Sequence, residues 1–141
     1  MNLVIFCLLL VGICYTIRMP DTDLVELGKY INDTITKPRG TALQLTRDVY
    51  VYYEELHGIR KDMKLEMPYT FTKLKAVQNS GGPPYIKYEI NSTILQNYFN
   101  WTRWEHEEFF GIINATEKEW VKLLKLDQRV NSKYSKTGEM E

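Results

Sequence analysis

The first hydrophobic pattern in the chain that has a clear period is helical. Four apolar residues recur every three or four positions and share one helix face. They are Leu24, Leu27, Ile31 and Ile35. Asp21 or Thr22 can cap the first turn, and the segment from Lys37 to Gly40 ends the helix. Gly28 lies beside the apolar face, so the pattern predicts an N-terminal helix that a neighbouring element approaches closely.

From Leu43 onward the apolar period changes from 3.6 residues to 2. One parity carries Leu43, Leu45, Val49, Val51 and Tyr53, and the other is mostly polar. Because Val and Tyr favour pleated surfaces, we favour a strand for this stretch. The same residues also fit a helix whose buried face is Leu45, Val49, Tyr52 and Leu56, and this interpretation is kept as the alternative.

Alternation resumes after Gly58, which closes a short loop. The apolar parity of this second run is Met63, Leu65, Met67, Tyr69 and Phe71. Two alternating runs on either side of a loop that ends in glycine predict a hairpin over residues 43–71. A turn at 78–84, rich in Gly and Pro, precedes a third alternating run at 86–90.

The last third of the chain changes character. Thr102 with Glu105, and Thr116 with Glu119, both fit the capping-box pattern before apolar residues at helical spacing. We therefore expect two short helices near 103–112 and 117–126. The predicted fold class is α+β, with an N-terminal helix packed on an antiparallel β-sheet and short C-terminal helices.

The N-terminus predicts export. Leu3 to Ile13 is an uncharged apolar run of eleven residues, too short to span a bilayer and typical of a signal-peptide core. An N-terminal anchor or a buried helix is the alternative. We place the cleavage between Cys14 and Ile17. The predicted organisation is a signal peptide at 1–16, a single α+β domain at 17–126 and a polar, flexible tail at 127–141, in a protein that is secreted or resides in the lumen of the secretory pathway.

Four asparagines also support export through the secretory pathway, because each is followed two positions later by threonine. They are Asn32, Asn91, Asn100 and Asn114. Asn-x-Thr is the acceptor pattern for N-glycosylation in the secretory pathway, and chance would supply fewer such triplets. The chain is therefore predicted to be a glycoprotein.

Cysteine content and charge narrow the classes of function. Cys7 and Cys14 are the only cysteines and would leave with the signal peptide, so the mature protein would have neither thiol nor disulfide. About 120 residues can bury an adequate core without such bonds.

Eighteen basic and eighteen acidic residues give zero formal charge, which does not favour nucleic-acid binding. We expect no membrane insertion after signal cleavage.

The residues do not predict catalysis. His57 and His106 are the only histidines and lack the i, i+4 spacing of a zinc-binding helix, so no metal site is expected. Glu105, Glu107 and Glu108 are interpreted as a solvated helix face. No nucleophile elbow, phosphate loop or dinucleotide fingerprint is present. We predict a protein that is not an enzyme and needs no cofactor, and a small secreted hydrolase is only a remaining hypothesis.

The segment from Asp21 to Met67 resembles the cystatins, in particular the disulfide-free plant type, and a looser likeness continues to Trp104. The likeness rests on the run Leu27-Gly28-Lys29-Tyr30-Ile31, which is close to the helix signature of that family, and on the order of elements after it. The resemblance implies a helix on a sheet and a wedge that plugs papain-like cysteine proteases. Its candidate wedge loops contain Glu54, Leu56, His57, Gly58 and Trp101.

Several residues depart from the cystatin pattern. Glu54 replaces the glutamine of the first loop, Asn100 replaces the proline of the second, and the predicted mature chain has no glycine before Asp21. A glycan on Asn100 would crowd the cleft that the wedge must enter. A relative without inhibitory activity is therefore as well supported as an inhibitor.

Two functions of different class follow. The first is a secreted, N-glycosylated binding protein on a cystatin-like scaffold, whose partner is a papain-like cysteine protease or a receptor. The alternative is a secreted effector or cytokine-like ligand that acts on a receptor through its aromatic C-terminal helices, from Tyr98 to Leu126. Trp101 and Trp104 also have a simpler interpretation as packing residues.

Overall fold

The computed structural model describes residues 23–65, 68–86 and 89–139, and every regular element in these ranges is helical. The elements are α1 (Leu24–Thr36), α2 (Ala42–Lys64), α3 (Pro68–Asn79), a 3₁₀ helix (Pro84–Ile86), α4 (Ser92–Phe99) and α5 (Arg103–Glu139). The predicted signal peptide and both cysteines lie outside the described residues.

None of the helices in the described ranges combines the length and the apolar character that crossing a membrane requires.

The predicted α+β fold is wrong, because the described part of the chain contains no β-strand. The hairpin expected over 43–71 lies mainly in α2 and α3, and the run at 86–90 begins at the end of the 3₁₀ helix. The helical alternative for the first run is correct. The buried positions of α2 that follow this spacing are Leu45, Val49, Tyr52, Leu56, Ile59 and Met63. Burial of this stripe outweighs the weaker β-preference of Val and Tyr.

The expected likeness to cystatins is wrong as well. That fold wraps a sheet around its helix, whereas the part of this chain that the structure describes builds its core from helices. The element order that suggested the family depended on the period-2 interpretation of 43–71. Once those residues are helical, the first wedge loop and the strands on either side of it are absent from the described residues.

The prediction for α1 is confirmed. Leu24, Ile31 and Ile35 are buried, and the helix ends at Thr36. The cap is Asp23, slightly later than predicted, and its carboxylate accepts hydrogen bonds from the amides of Val25 and Glu26 at 3.0 and 3.3 Å. These bonds satisfy amide groups that the first helical turn leaves without partners.

Gly28 provides the predicted close approach. A Cβ placed there would lie 3.1 Å from Cδ of Pro84 and 3.2 Å from Cε2 of Tyr52. The 3₁₀ helix and α2 therefore meet α1 at a point where only glycine fits without displacement of a neighbour.

The core lies mainly between α2 and α5, which share the most extensive contact in the described chain. α5 contributes Phe109, Ile113 and Leu123 to it, and α4 contributes Leu95. α1 and α3 pack against α2 and against each other. The architecture is a helical bundle in which the last helix is paired with the second.

The first capping box is confirmed and the second is wrong. The Glu105 amide donates to the Thr102 hydroxyl and the Thr102 amide donates to the Glu105 carboxylate, each at 3.2 Å. Thr116 lies inside α5, where its hydroxyl donates to the carbonyl of Ile112 at 2.8 Å. No glycine or proline interrupts the chain at 112–117, so one helix of 37 residues replaces the two short ones and continues through 127–139.

A substitution at Gly58 tests whether this part of the chain is a helix or the loop of a hairpin. It lies within α2 and not at a left-handed turn, and an added Cβ would have no atom within 4 Å. Gly58→Ala is therefore expected to raise the free energy of unfolding by about 0.5–1 kcal/mol, because alanine loses less backbone entropy in a helix. Urea unfolding followed by circular dichroism measures it.

The matched control is Gly82→Ala. Gly82 has φ +87°, and a Cβ there would lie 3.1 Å from the Trp120 ring, so this substitution is expected to destabilise the protein. A loss of stability in Gly58→Ala would show that residue 58 is not helical.

Candidate functional site

The residues predicted to form a protease wedge do not form one. Glu54, Leu56, His57 and Gly58 lie along α2, and Leu56 is completely buried in the core. Trp101 is also buried, with 4% of its surface exposed. A wedge requires exposed loops that enter a protease cleft, so the inhibitor interpretation is wrong. The packing interpretation of Trp101 is correct.

Large apolar side chains are instead exposed on α4 and at the start of α5. We call Ile94, Tyr98 and Trp104 the aromatic surface; their exposed fractions are 46%, 52% and 63%. Ile94 and Tyr98 are four residues apart and share one face of α4, while Trp104 lies in the first turn of α5. Exposed residues of this kind contribute strongly to protein interfaces when they are grouped.

Local capping fixes the two helices that carry this surface. The Asn91 side chain accepts hydrogen bonds from the amides of Thr93 and Ile94 at 3.1 and 3.3 Å and so begins α4. Asn100 ends α4 in the left-handed conformation, with φ 49°. The Thr102 box then starts α5 after a very short link. The turn between the helices is therefore defined by its own sequence.

A stack of aromatic rings supports the aromatic surface from below. Phe99 lies parallel to Trp101 at a centroid distance of 5.5 Å, and Trp101 contacts Phe109 at 4.9 Å. Tyr98 meets Phe99 edge-on at 4.9 Å. The side-chain amide of Gln96 donates a hydrogen bond to the backbone carbonyl of Trp101 at 2.7 Å, which connects α4 to the segment between α4 and α5. These ring pairs hold Tyr98 against a packed base, which lowers the entropy that Tyr98 loses on binding.

An open groove of about 320 Å³ lies between the segment after the 3₁₀ helix and α5. Its lining is Tyr85, Ile86, Glu89, Ile90, Ser92, His106, Phe110, Ile113 and Glu117. Burial, and then the neighbouring Tyr52, raise the pKa of Tyr85 well above its ordinary value, and the adjacent Thr116 hydroxyl only partly opposes this. The Tyr85 hydroxyl is buried and has no hydrogen-bond partner.

A charged cluster connects α2 to α5. Glu119 is almost completely buried, with 4% of its side chain exposed, and accepts hydrogen bonds from Arg60 and from His57 Nδ1, the latter at 3.2 Å. The His57 ring stacks on Tyr53 at 6.1 Å. Burial alone would raise the pKa of Glu119, but the hydrogen bond and charge of Arg60, followed by those of His57, lower it. The carboxylate therefore stays ionised and braces the two helices.

The sequence provided no signal for this cluster. Arg60 and Glu119 are 59 positions apart, and His57 and Glu119 are 62 positions apart. Glu119 was assigned instead to a helix cap, and His57 to a wedge loop. Only the packing of α2 on α5 brings these three residues together.

The predicted glycan acceptors differ in their surroundings. Asn91, Asn100 and Asn114 are exposed, whereas Asn32 is half-buried on α1. Thr34 and Thr116 are buried, and their hydroxyls donate to the carbonyls of Tyr30 and Ile112. Glycosylation at these four positions stays a prediction.

Within 23–65, 68–86 and 89–139, no group of three or more His, Cys, Asp or Glu side chains could hold a metal ion. Comparison of the chain with protein-family models, with curated proteins and with solved structures found no match.

Proposed function

We propose that this protein is a secreted, N-glycosylated helical ligand that acts on a receptor protein through the aromatic surface. The observation that carries the proposal is the exposure of Ile94, Tyr98 and Trp104, of which Tyr98 rests against the packed ring of Phe99. Trp and Tyr are the residue types that contribute most to protein interfaces when they are truncated. A chain that keeps such residues exposed to water has a surface suited to a protein partner.

The N-terminus and the acceptor asparagines support secretion. An apolar run of signal-peptide length precedes the helical bundle, and the four Asn-x-Thr triplets all follow it. Asn91 and Asn100 lie at the two ends of α4, next to the aromatic surface. A sugar on Asn100 would shield part of that surface, so occupancy of this acceptor controls how strongly the receptor binds.

The test measures binding of the full chain, secreted from eukaryotic cells, to a display library of cell-surface ectodomains. We expect saturable binding to at least one ectodomain and a loss of tenfold or more, about 1.4 kcal/mol, in the pair Tyr98→Ala with Trp104→Ala. Asn100→Gln is expected to bind more tightly than the glycosylated protein. Digestion with an N-glycosidase is expected to lower the apparent mass of the secreted material.

The matched control is the pair Leu43→Ala with Leu65→Ala, which removes apolar side chains that are 70% and 73% exposed elsewhere on the bundle. These variants are expected to bind like the parent chain. An equal loss in both pairs would contradict a role for the aromatic surface. A product that retains Met1 and shows no mass shift would contradict secretion.

A further inference from the structure

A row of basic side chains runs along the C-terminal half of α5. Its members are Lys118, Lys122, Lys125, Arg129 and Lys133, and all of them are exposed. Their separations of three or four residues place them within roughly 80° of arc on a helix with 3.6 residues per turn. We call this set the basic row. In the sequence these residues alternate with acidic and apolar ones, so the row exists only once the segment is helical.

Nearby carboxylates on α5 point away from the basic row. Glu119 is buried against Arg60, and the Asp127 carboxylate accepts a hydrogen bond from Gln78 on α3 at 3.1 Å. Glu117 lines the groove beside Tyr85. The two acidic side chains between the first and last members of the row, Glu119 and Asp127, are thus engaged with other helices.

The basic row is also long. Lys125, Arg129 and Lys133, together with the polar Gln128 and Ser132, form an open polar face on one helix. At 1.5 Å per residue the row extends about 22 Å along the helix axis. This is the shape of a site for an extended polymer that makes repeated charge contacts.

We propose that the basic row binds a linear sulfated polysaccharide of the glycosaminoglycan class. Sulfate groups along a flexible chain match point charges spaced along one helix face, and release of counterions provides the binding free energy. No aromatic side chain lies among the members of the row, so the base stacking that single-stranded nucleic acids use is missing. Among the side chains described on this half of α5, Val121 is the one large apolar residue that is exposed, which is too little to insert into a membrane surface.

This inference rests on the proposed function in one respect, since a secreted protein meets such polysaccharides at cell surfaces. It adds a second site that is separate from the aromatic surface. Polysaccharide binding would concentrate the protein near receptors without contributing to receptor contact itself.

The experiment measures affinity for a size-defined heparin fragment by calorimetry at several salt concentrations, using the full secreted chain. The test variant is Lys122→Gln, Lys125→Gln and Arg129→Gln together. The control is Lys29→Gln, Lys37→Gln and Lys75→Gln, which removes the same charge from exposed positions elsewhere. We expect at least a tenfold loss and a weaker salt dependence in the test variant, and less than a twofold change in the control.

Three outcomes would overturn the proposal: equal losses in the two variants, equal binding of desulfated heparin, or tighter binding of a single-stranded DNA of the same charge. Unchanged melting temperatures establish that both variants fold. The aromatic-surface pair Tyr98→Ala with Trp104→Ala is expected to keep full heparin affinity. Heparin binding without receptor binding would contradict the proposed function and leave the basic row supported.

Discussion

Glu119→Ala is expected to lower the free energy of unfolding by about 3 kcal/mol, because it leaves Arg60 partly buried without its carboxylate partner. Arg60 has 19% of its side chain exposed, and it reaches Glu119 through both Nε and Nη2. His57 loses its partner at the same time. Urea unfolding at neutral pH measures the change. The Arg60–Glu119 ion pair links α2 to α5, so the whole bundle is expected to unfold in one transition.

A double variant separates the charge from the packing. Arg60→Met with Glu119→Leu removes both charges and keeps apolar volume, so it is expected to recover most of the lost stability. If the double variant were less stable than Glu119→Ala, the ion pair would not be the cause of the effect.

The Arg60–Glu119 pair also predicts how the stability of the protein changes at acid pH. The folded pKa of Glu119 lies below its ordinary value of 4.5, so its stabilisation is fully present above that value and is lost as the pH falls through the folded pKa. The stability advantage of the parent chain over Glu119→Gln should shrink in this acid range. If the difference in free energy of unfolding between the two proteins stayed constant down to the acid transition, the carboxylate of Glu119 would not stabilise the fold through its charge.

Phe109→Ala is expected to cost about 3–5 kcal/mol, because Phe109 is completely buried and its removal leaves a cavity beneath Trp101. The adjacent Phe110 is only half-buried, so Phe110→Ala serves as the control and is expected to cost less. Thermal and urea unfolding measure both variants. Equal losses would show that the ring stack does not lie where the structure places it.

This substitution also tests the support of the aromatic surface. Phe109 holds Trp101, and Trp101 stacks on Phe99 below Tyr98. In Phe109→Ala the base becomes looser, so receptor binding is expected to weaken even where the protein is still folded.

The helices that the sequence predicted correctly are those whose local signals agree. In α1 the apolar stripe and the terminating segment point to the same answer, and at α5 the Thr102 box is satisfied on both sides. The segment 43–54 was misassigned because its apolar residues satisfy two periods at once. There the choice between strand and helix depends on which face meets α5, and that information is not local.

The candidate sites depended still more on tertiary structure. Trp101 and Trp104 are three residues apart, yet Trp101 is buried against Phe109 and Trp104 is mostly in water. Sequence alone assigned both to packing as the simpler interpretation. The basic row was hidden for a different reason, since a net charge of zero and interspersed acids conceal an alignment that only a continuous helix produces.

The unbroken length of α5 fixes the distance between the two proposed binding regions. Trp104 and Lys133 belong to the same helix, and 29 intervening steps of 1.5 Å separate them by roughly 44 Å along its axis. A helix of this length acts as a rigid spacer. With a cell-surface polysaccharide bound at the C-terminal end of α5, the N-terminal end would lie at a fixed distance from that polysaccharide.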